Sequence, residues 1–217
     1  LADKPTISFH VDAVQALAKI PTENYLTDRV DFATFSSHKF HGVRGVGFVY
    51  IKSGKRIMPL LTGGGQEGDY RSTTENVAGI AATAKALRLS MEKLAVFTSK
   101  TGQMKAVIRQ ALLDYPDIFV FSDEEDFAPH ILTFGIKCVR GEVIVHAFED
   151  YDIFISTTSA CSSKAGKPAG TLIAMGVDKE KAQSAVRLSL DLENDMSQIE
   201  QFLTKLKLIY NQTRKVR

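Results

Sequence analysis

The sequence predicts an α/β fold in two parts: strands that end in polar turns over residues 1–95, then a small α+β domain over residues 96–217. Three observations carry this reading. Short runs of β-branched and aromatic residues recur before residue 52, a long alanine-rich pattern fills residues 74–94, and beyond it helix-like and strand-like stretches alternate. With 44% hydrophobic residues among 217, the chain has enough apolar material for one sizeable core or two small ones.

The elements follow in order. Residues 6–11 alternate and are partly β-branched or aromatic, and Asp12-Ala13-Val14-Gln15-Ala16-Leu17 is richer in helix formers, so a strand is expected to run into a turn or short helix. A second strand ends near Phe35 and a third covers residues 46–51, with the glycines between them making a tight bend. Residues 74–94 read as a helix leaving the first region and bridging to the second. Helices are expected at 98–113 and 196–210, and strands at Ile131–Phe134 and Ile153–Ser156.

Charge and cysteine content narrow the function. Twenty-seven basic against 25 acidic side chains leave a net charge of +2, which gives no reason to expect nucleic acid or a membrane surface as the main partner. Runs such as Val143-Ile144-Val145 are too short to span a bilayer, so a cytoplasmic protein is expected. Cys138 and Cys161 are the only cysteines, too few for a disulfide framework and without zinc-site spacing, and no metal is expected. Leu1 and the strand-like residues after it suggest that the chain starts within a domain.

Several constellations could carry chemistry. Phe35-Ser36-Ser37-His38-Lys39-Phe40-His41-Gly42 sets a lysine beside small polar groups just before a turn, where its amine could carry an aldehyde cofactor as a Schiff base. A solvated surface lysine is the alternative. Ser36 and His38 would project from one face if the strand continued, and a hydroxyl and an imidazole suit a phosphate. Asp12 falls at the carboxyl end of its strand, where open α/β sheets collect ligands, and it shares a helical face with Gln15. A carboxylate there could hold a heteroaromatic nitrogen protonated; a helix N-cap is the simpler role.

Gly63-Gly64-Gly65-Gln66-Glu67-Gly68 matches the letters of a dinucleotide fingerprint but lacks the flanking strand and helix, so a turned or mobile loop is expected. Cys161 lies among small polar residues with Lys164 and Lys167 nearby, a setting that favours thiolate. Cys138, between Ile136 and Val139, reads as a core cysteine on a strand. Arg187 interrupts an apolar strand with a fork that suits a carboxylate, or a surface ion pair.

Together these residues resemble the cysteine desulfurases, pyridoxal-phosphate enzymes of the class-V aminotransferase-like group. Four blocks match in order: Val11-Asp12-Ala13-Val14-Gln15; Phe35-Ser36-Ser37-His38-Lys39; Gly63-Gly64-Gly65-Gln66-Glu67 with Arg71-Ser72-Thr73-Thr74-Glu75-Asn76; and Ser159-Ala160-Cys161-Ser162-Ser163. The similarity also covers the stretches between them. It implies the C-terminal part of the aspartate-aminotransferase-like (fold type I) large domain, followed by the small domain that carries the cysteine loop.

By that resemblance Lys39 is the Schiff-base lysine, Asp12 the partner of the pyridinium nitrogen, and Gln15 the neighbour of the cofactor's phenolic oxygen. Ser36 and His38 match phosphate ligands, and Thr74 matches a hydroxyl sent to the phosphate of the other subunit of a homodimer. Arg187 matches the arginine that binds the substrate carboxylate. Cys161 matches the nucleophile that takes sulfur from L-cysteine, leaving L-alanine and a persulfide for an acceptor protein in iron–sulfur cluster assembly or thiolation.

The chain departs from the group's pattern at Gly68, where arginine is usual, at Thr73, Thr158 and Asp191, where glycine is usual, and at Lys167-Pro168-Ala169, where an acidic-proline-serine trio is usual. These positions bear on acceptor choice and turnover more than on cofactor binding. In the group, about half of the large domain precedes the Asp12 strand, so the chain reads as a C-terminal fragment that is inactive alone. Two other readings stand beside this one: a relative acting on selenocysteine or cysteine sulfinate, and a non-catalytic fragment that dimerises or binds partners.

Overall fold

The structure, a computed structural model, describes residue 4 and residues 6–122, 127–157 and 170–215, with only the backbone described for Arg214 and Lys215. The chain divides into two compact units, Leu1–Val96 and Phe97–Arg217.

The first unit is built on a three-stranded sheet. Strand β1 (His10–Asp12) runs parallel to β2 (Phe32–Ser36), and β3 (Gly47–Ile51) is antiparallel to β2. Strand alternation sends Ala33 and Phe35 into a core with Ala13, Leu17, Tyr25, Val30 and Phe40. Helix α1 (Val77–Glu92) follows, and its cap is Asn76, whose side chain accepts from Gly79 N at 3.0 Å. It therefore starts three residues later than the alanine-rich pattern suggests, because the asparagine ends the preceding irregular chain.

Strand β1 is also shorter than the expected span of 6–11. The reason lies in Arg29 and Asp31. Arg29 Nη2 donates to Ile7 O at 2.6 Å and to Lys4 O at 3.3 Å, while Phe9 N donates to Asp31 Oδ2 at 2.9 Å. Side chains thus satisfy backbone groups that a strand would have paired. After β1 the chain makes successive turns over Ala13–Ile20, with Ala18 at φ 59, and no helix forms there.

Asp31 is buried, and Lys55 approaches its other oxygen at 3.1 Å. The Phe9 amide holds its carboxyl below the usual carboxylate range, helped by Lys55 and Arg29 against the opposing effect of burial. A depressed carboxylate stabilises the fold above its unfolded-state pKa, about 3.9, and that contribution is lost as pH falls through the folded value. Asp31→Asn is therefore expected to lower the urea midpoint at neutral pH and to flatten its decline on acidification. An unchanged acid slope in that variant would remove Asp31 as the acid-labile clamp.

The second unit has a four-stranded antiparallel sheet in the order β4 (Ile118–Val120), β5 (Ile131–Ile136), β7 (Val186–Ser189), β6 (Ser156–Thr157). Helices α2 (Leu94–Leu113), α3 (Gly141–Glu149) and α6 (Met196–Lys215) share its core. Met104, Ile108 and Leu112 recur every four residues on α2, and Ile199, Phe202, Leu206 and Ile209 form the stripe of α6. Phe148 stacks on Phe202 with centroids 4.9 Å apart, worth about 0.5–1.5 kcal/mol beyond burial. The short helices α4 (Gly170–Ala174) and α5 (Lys179–Gln183) complete this unit, and the Asp178 side chain caps α5.

Two expectations in this unit are corrected. Of the strand expected at Ile153–Ser156 only Ser156 is in a strand, and the strand formed is Ser156–Thr157, paired to Arg187 and Val186. Cys138 is exposed rather than buried in a strand. Its backbone turns at φ 58 immediately after β5, closed by Val139 N donating to Ile136 O, so Ile136 enters the core and Cys138 does not. No described helix is long and apolar enough to cross a membrane.

Candidate active site

Parallel pairing of β1 with β2 brings two polar segments to one edge of the first sheet. Asp12, the last residue of β1, is in register with Thr34, two residues before β2 ends at Ser36. Beyond Ser36 the strand does not continue; Ser37–Phe40 form a 3-10 turn closed by His41 in the left-handed region at φ 66. Lys39 therefore projects from a turn at the carboxyl edge, the side of an open sheet where ligands bind.

This turn is held from below. Ser37 is fully buried, and its Oγ lies 2.9 Å from Thr83 Oγ1 on α1. Thr83 spends its single proton on Gly79 O at 2.7 Å, so Ser37 is the donor in this pair. Ser90, also on α1, donates to Phe40 O at 3.1 Å. A Cβ on Gly42 would meet Ser37 Oγ at 1.9 Å and Ser37 O at 2.9 Å, so only glycine lets the chain leave so close to that anchor. Ser36 and His38 stand out in the sequence, whereas Ser37 and Thr83 do not, because their partnership spans 46 residues and leaves no local pattern.

The groups at this edge are available. Lys39 is half-buried, His38 exposed and Ser36 half-buried, and none of the three side chains has a hydrogen bond or ion pair among the described residues. Asp12 is exposed; its Oδ1 accepts from Val14 N at 3.1 Å, a turn-capping bond, while Oδ2 has no partner among the described residues. Gln15 is exposed in the turns that follow. Thr74 is exposed in the irregular chain ahead of α1, outside the helix.

The glycine-rich run contains a 3-10 turn at Gln66–Asp69, followed by irregular chain up to α1, so it has neither flank of a dinucleotide fingerprint. Gly68 takes φ 62, and Glu67 and Asp69 share positive φ at 53 and 70.

In the second unit, Val186 and Leu188 enter the core, so alternation places Arg187 on the opposite face of β7. Thr133 of β5 and Ser156 of β6 are its register partners on either side. Arg187 Nε is buried and has no hydrogen-bond partner among the described residues, a donor whose desolvation costs about 1–3 kcal/mol until an acceptor arrives. Asp191, beyond β7, starts a turn closed by Asn194 N donating to Asp191 O at 3.2 Å and by Asp191 N donating to Asn194 Oδ1 at 2.8 Å. Cys161, Thr158 and Lys167 lie outside the described residues.

A mixed α/β sheet with its polar groups at the carboxyl edge, and a second small sheet packed by helices, are features of the type I fold of pyridoxal-phosphate enzymes. A model of the class-V aminotransferase family matches residues 1–202, and the chain belongs to that family. A NifS/IcsS protein homolog of Lactobacillus delbrueckii subsp. bulgaricus is 48% identical over 217 residues, covering 100% of this chain and 56% of its own length. The cysteine desulfurase IscS of Clostridium botulinum strain Hall is 34% identical over 220 residues, covering 100% of this chain and 55% of its own.

Solved structures agree in fold. A NifS-like protein from Rickettsia africae superposes with a TM-score of 0.82 at 28% identity, over 97% of this chain and 55% of that one. Another NifS-like protein gives 0.80 at 35% identity, over 94% and 52%. The chain thus spans about half the length of the relatives it matches.

Proposed function

We propose that this chain is the C-terminal part of a pyridoxal-phosphate cysteine desulfurase, with residues 1–95 belonging to the cofactor-binding large domain and 96–217 forming the small domain. The observation that carries this reading is the shared carboxyl edge of β1 and β2, where an aspartate ends one strand and the lysine turn follows the other. The donor set suits the cofactor: a carboxylate for a ring nitrogen, a hydroxyl and an imidazole for a phosphate, and for an aldehyde an amine that has no partner among the described residues. When bound, pyridoxal phosphate supplies an electron sink for charge developing at a substrate α-carbon.

The residues divide the work. Lys39 carries the cofactor and exchanges a proton at Nζ; Asp12 offers Oδ2 to the ring nitrogen, with Oδ1 fixed by Val14 N. Gln15 is placed by family likeness beside the phenolic oxygen, and Ser36 and His38 hold the phosphate. Thr74 serves the phosphate of a second copy in a homodimer. Arg187 binds the carboxylate of L-cysteine through its Nε edge, which has no partner among the described residues. Cys161 accepts the sulfur as a persulfide and passes it to an acceptor protein.

The test is a product balance. The protein carrying this sequence together with an upstream large-domain segment, loaded with cofactor, is expected to convert L-cysteine to equimolar L-alanine and sulfur. The 217-residue chain alone is expected to release no sulfide at enzymatic rates, and such release would end the fragment reading. Turnover of selenocysteine or cysteine sulfinate with none of L-cysteine would replace the proposed activity by that of a related lyase.

A further inference from the structure

A row of three polar residues crosses the second sheet on the face away from its core: Thr133 on β5, Arg187 on β7 and Ser156 on β6, all in register. The two hydroxyls flanking the arginine are not equivalent. Ser156 Oγ donates to Arg187 O at 3.5 Å and is turned to the backbone. Thr133 makes no side-chain hydrogen bond among the described residues; only its backbone is engaged, its N donating to Ser122 Oγ at 2.8 Å.

Register decides how near Thr133 lies to the guanidinium. Leu190 N donates to His130 O at 2.8 Å, which makes Ile131 and Ser189 a non-hydrogen-bonded pair. Two residues further along, Thr133 and Arg187 occupy the same kind of position, where side chains of an antiparallel pair come closest, with Cβ atoms about 4.5–5.5 Å apart. Among the described residues Arg187 therefore has an unpartnered buried Nε and, beside it, an uncommitted hydroxyl anchored through its own backbone to buried Ser122.

We infer that Thr133 is a positioning and specificity residue for the substrate carboxylate, donating from Oγ1 to the carboxylate that Arg187 binds. This rests on the proposed role of Arg187. A guanidinium edge fixes a carboxylate in its own plane, and a hydroxyl from the adjacent strand supplies a third donor that selects its tilt. The ligand class is a small amino acid with a free α-carboxylate.

The test is a titration with L-alanine of the cofactor-loaded protein that includes the upstream segment, followed through the Nε–Hε resonance of Arg187, assigned by its loss in Arg187→Lys. Saturable movement of that resonance is expected in the unaltered protein. Thr133→Val should weaken the apparent affinity about three- to tenfold, the worth of one hydrogen bond, and Thr133→Ser should restore it. Equal affinity in Thr133→Val overturns the assignment of Thr133 and leaves Arg187 standing. Equal weakening in the valine and serine variants also overturns it, since packing would then be the cause. No response in the unaltered cofactor-loaded protein overturns the role of Arg187 and that of Thr133 with it.

Discussion

Replacement of Lys39 by alanine, in the cofactor-loaded protein that includes the upstream segment, is expected to reduce L-cysteine turnover by at least about a thousandfold, within the range a positioned acid–base group contributes. The fold should survive. Lys39 is half-buried on the Ser37–Phe40 turn, and the anchors of that turn are the hydroxyls of Ser37, Thr83 and Ser90, not the lysine ammonium. An unchanged thermal midpoint beside lost turnover would separate chemistry from structure. Retained turnover would show that the carboxyl edge of β1 and β2 is not the reacting centre.

Cys161→Ser has the second large effect. A serine hydroxyl cannot accept the sulfur atom as a persulfide, so sulfur transfer to an acceptor should fall to background while the lysine still carries the cofactor. Mass spectrometry of the protein after incubation with L-cysteine reads this directly: a gain of one sulfur on the Cys161 peptide in the unaltered protein, and none in the variant. Sulfur appearing on Cys138 instead would redirect the role. Cys138 is exposed, with Sγ donating to Glu180 Oε1 at 4.0 Å.

Much of this architecture is legible in the residues because local pattern and final environment agree. The stripe of α6 and the alternation around Ala33 and Phe35 each name the face that ends up buried. Legibility fails where distant side chains take over backbone bonds. Residues 6–9 look like strand, yet Arg29 and Asp31 claim Ile7 O and Phe9 N and postpone β1 to His10. Cys138 has apolar neighbours, and its exposure follows from one left-handed residue that no composition reveals.

The candidate site divides in the same way. Asp12, Lys39 and Arg187 announce themselves as polar interruptions at strand ends or within an apolar strand. Ser37 and Thr83, which hold the lysine turn on α1, have no such mark because each is a small hydroxyl residue in an ordinary context. The place of Thr133 beside Arg187 depends on strand register, which is settled only when β5 and β7 pair.

The central claim is that Lys39 carries the cofactor, and borohydride reduction of the cofactor-loaded protein followed by peptide mass spectrometry tests it most directly. One phosphopyridoxyl adduct is expected, on the peptide containing Lys39, abolished by Lys39→Ala. An adduct on another lysine, or the same adduct yield in the alanine variant, would contradict it.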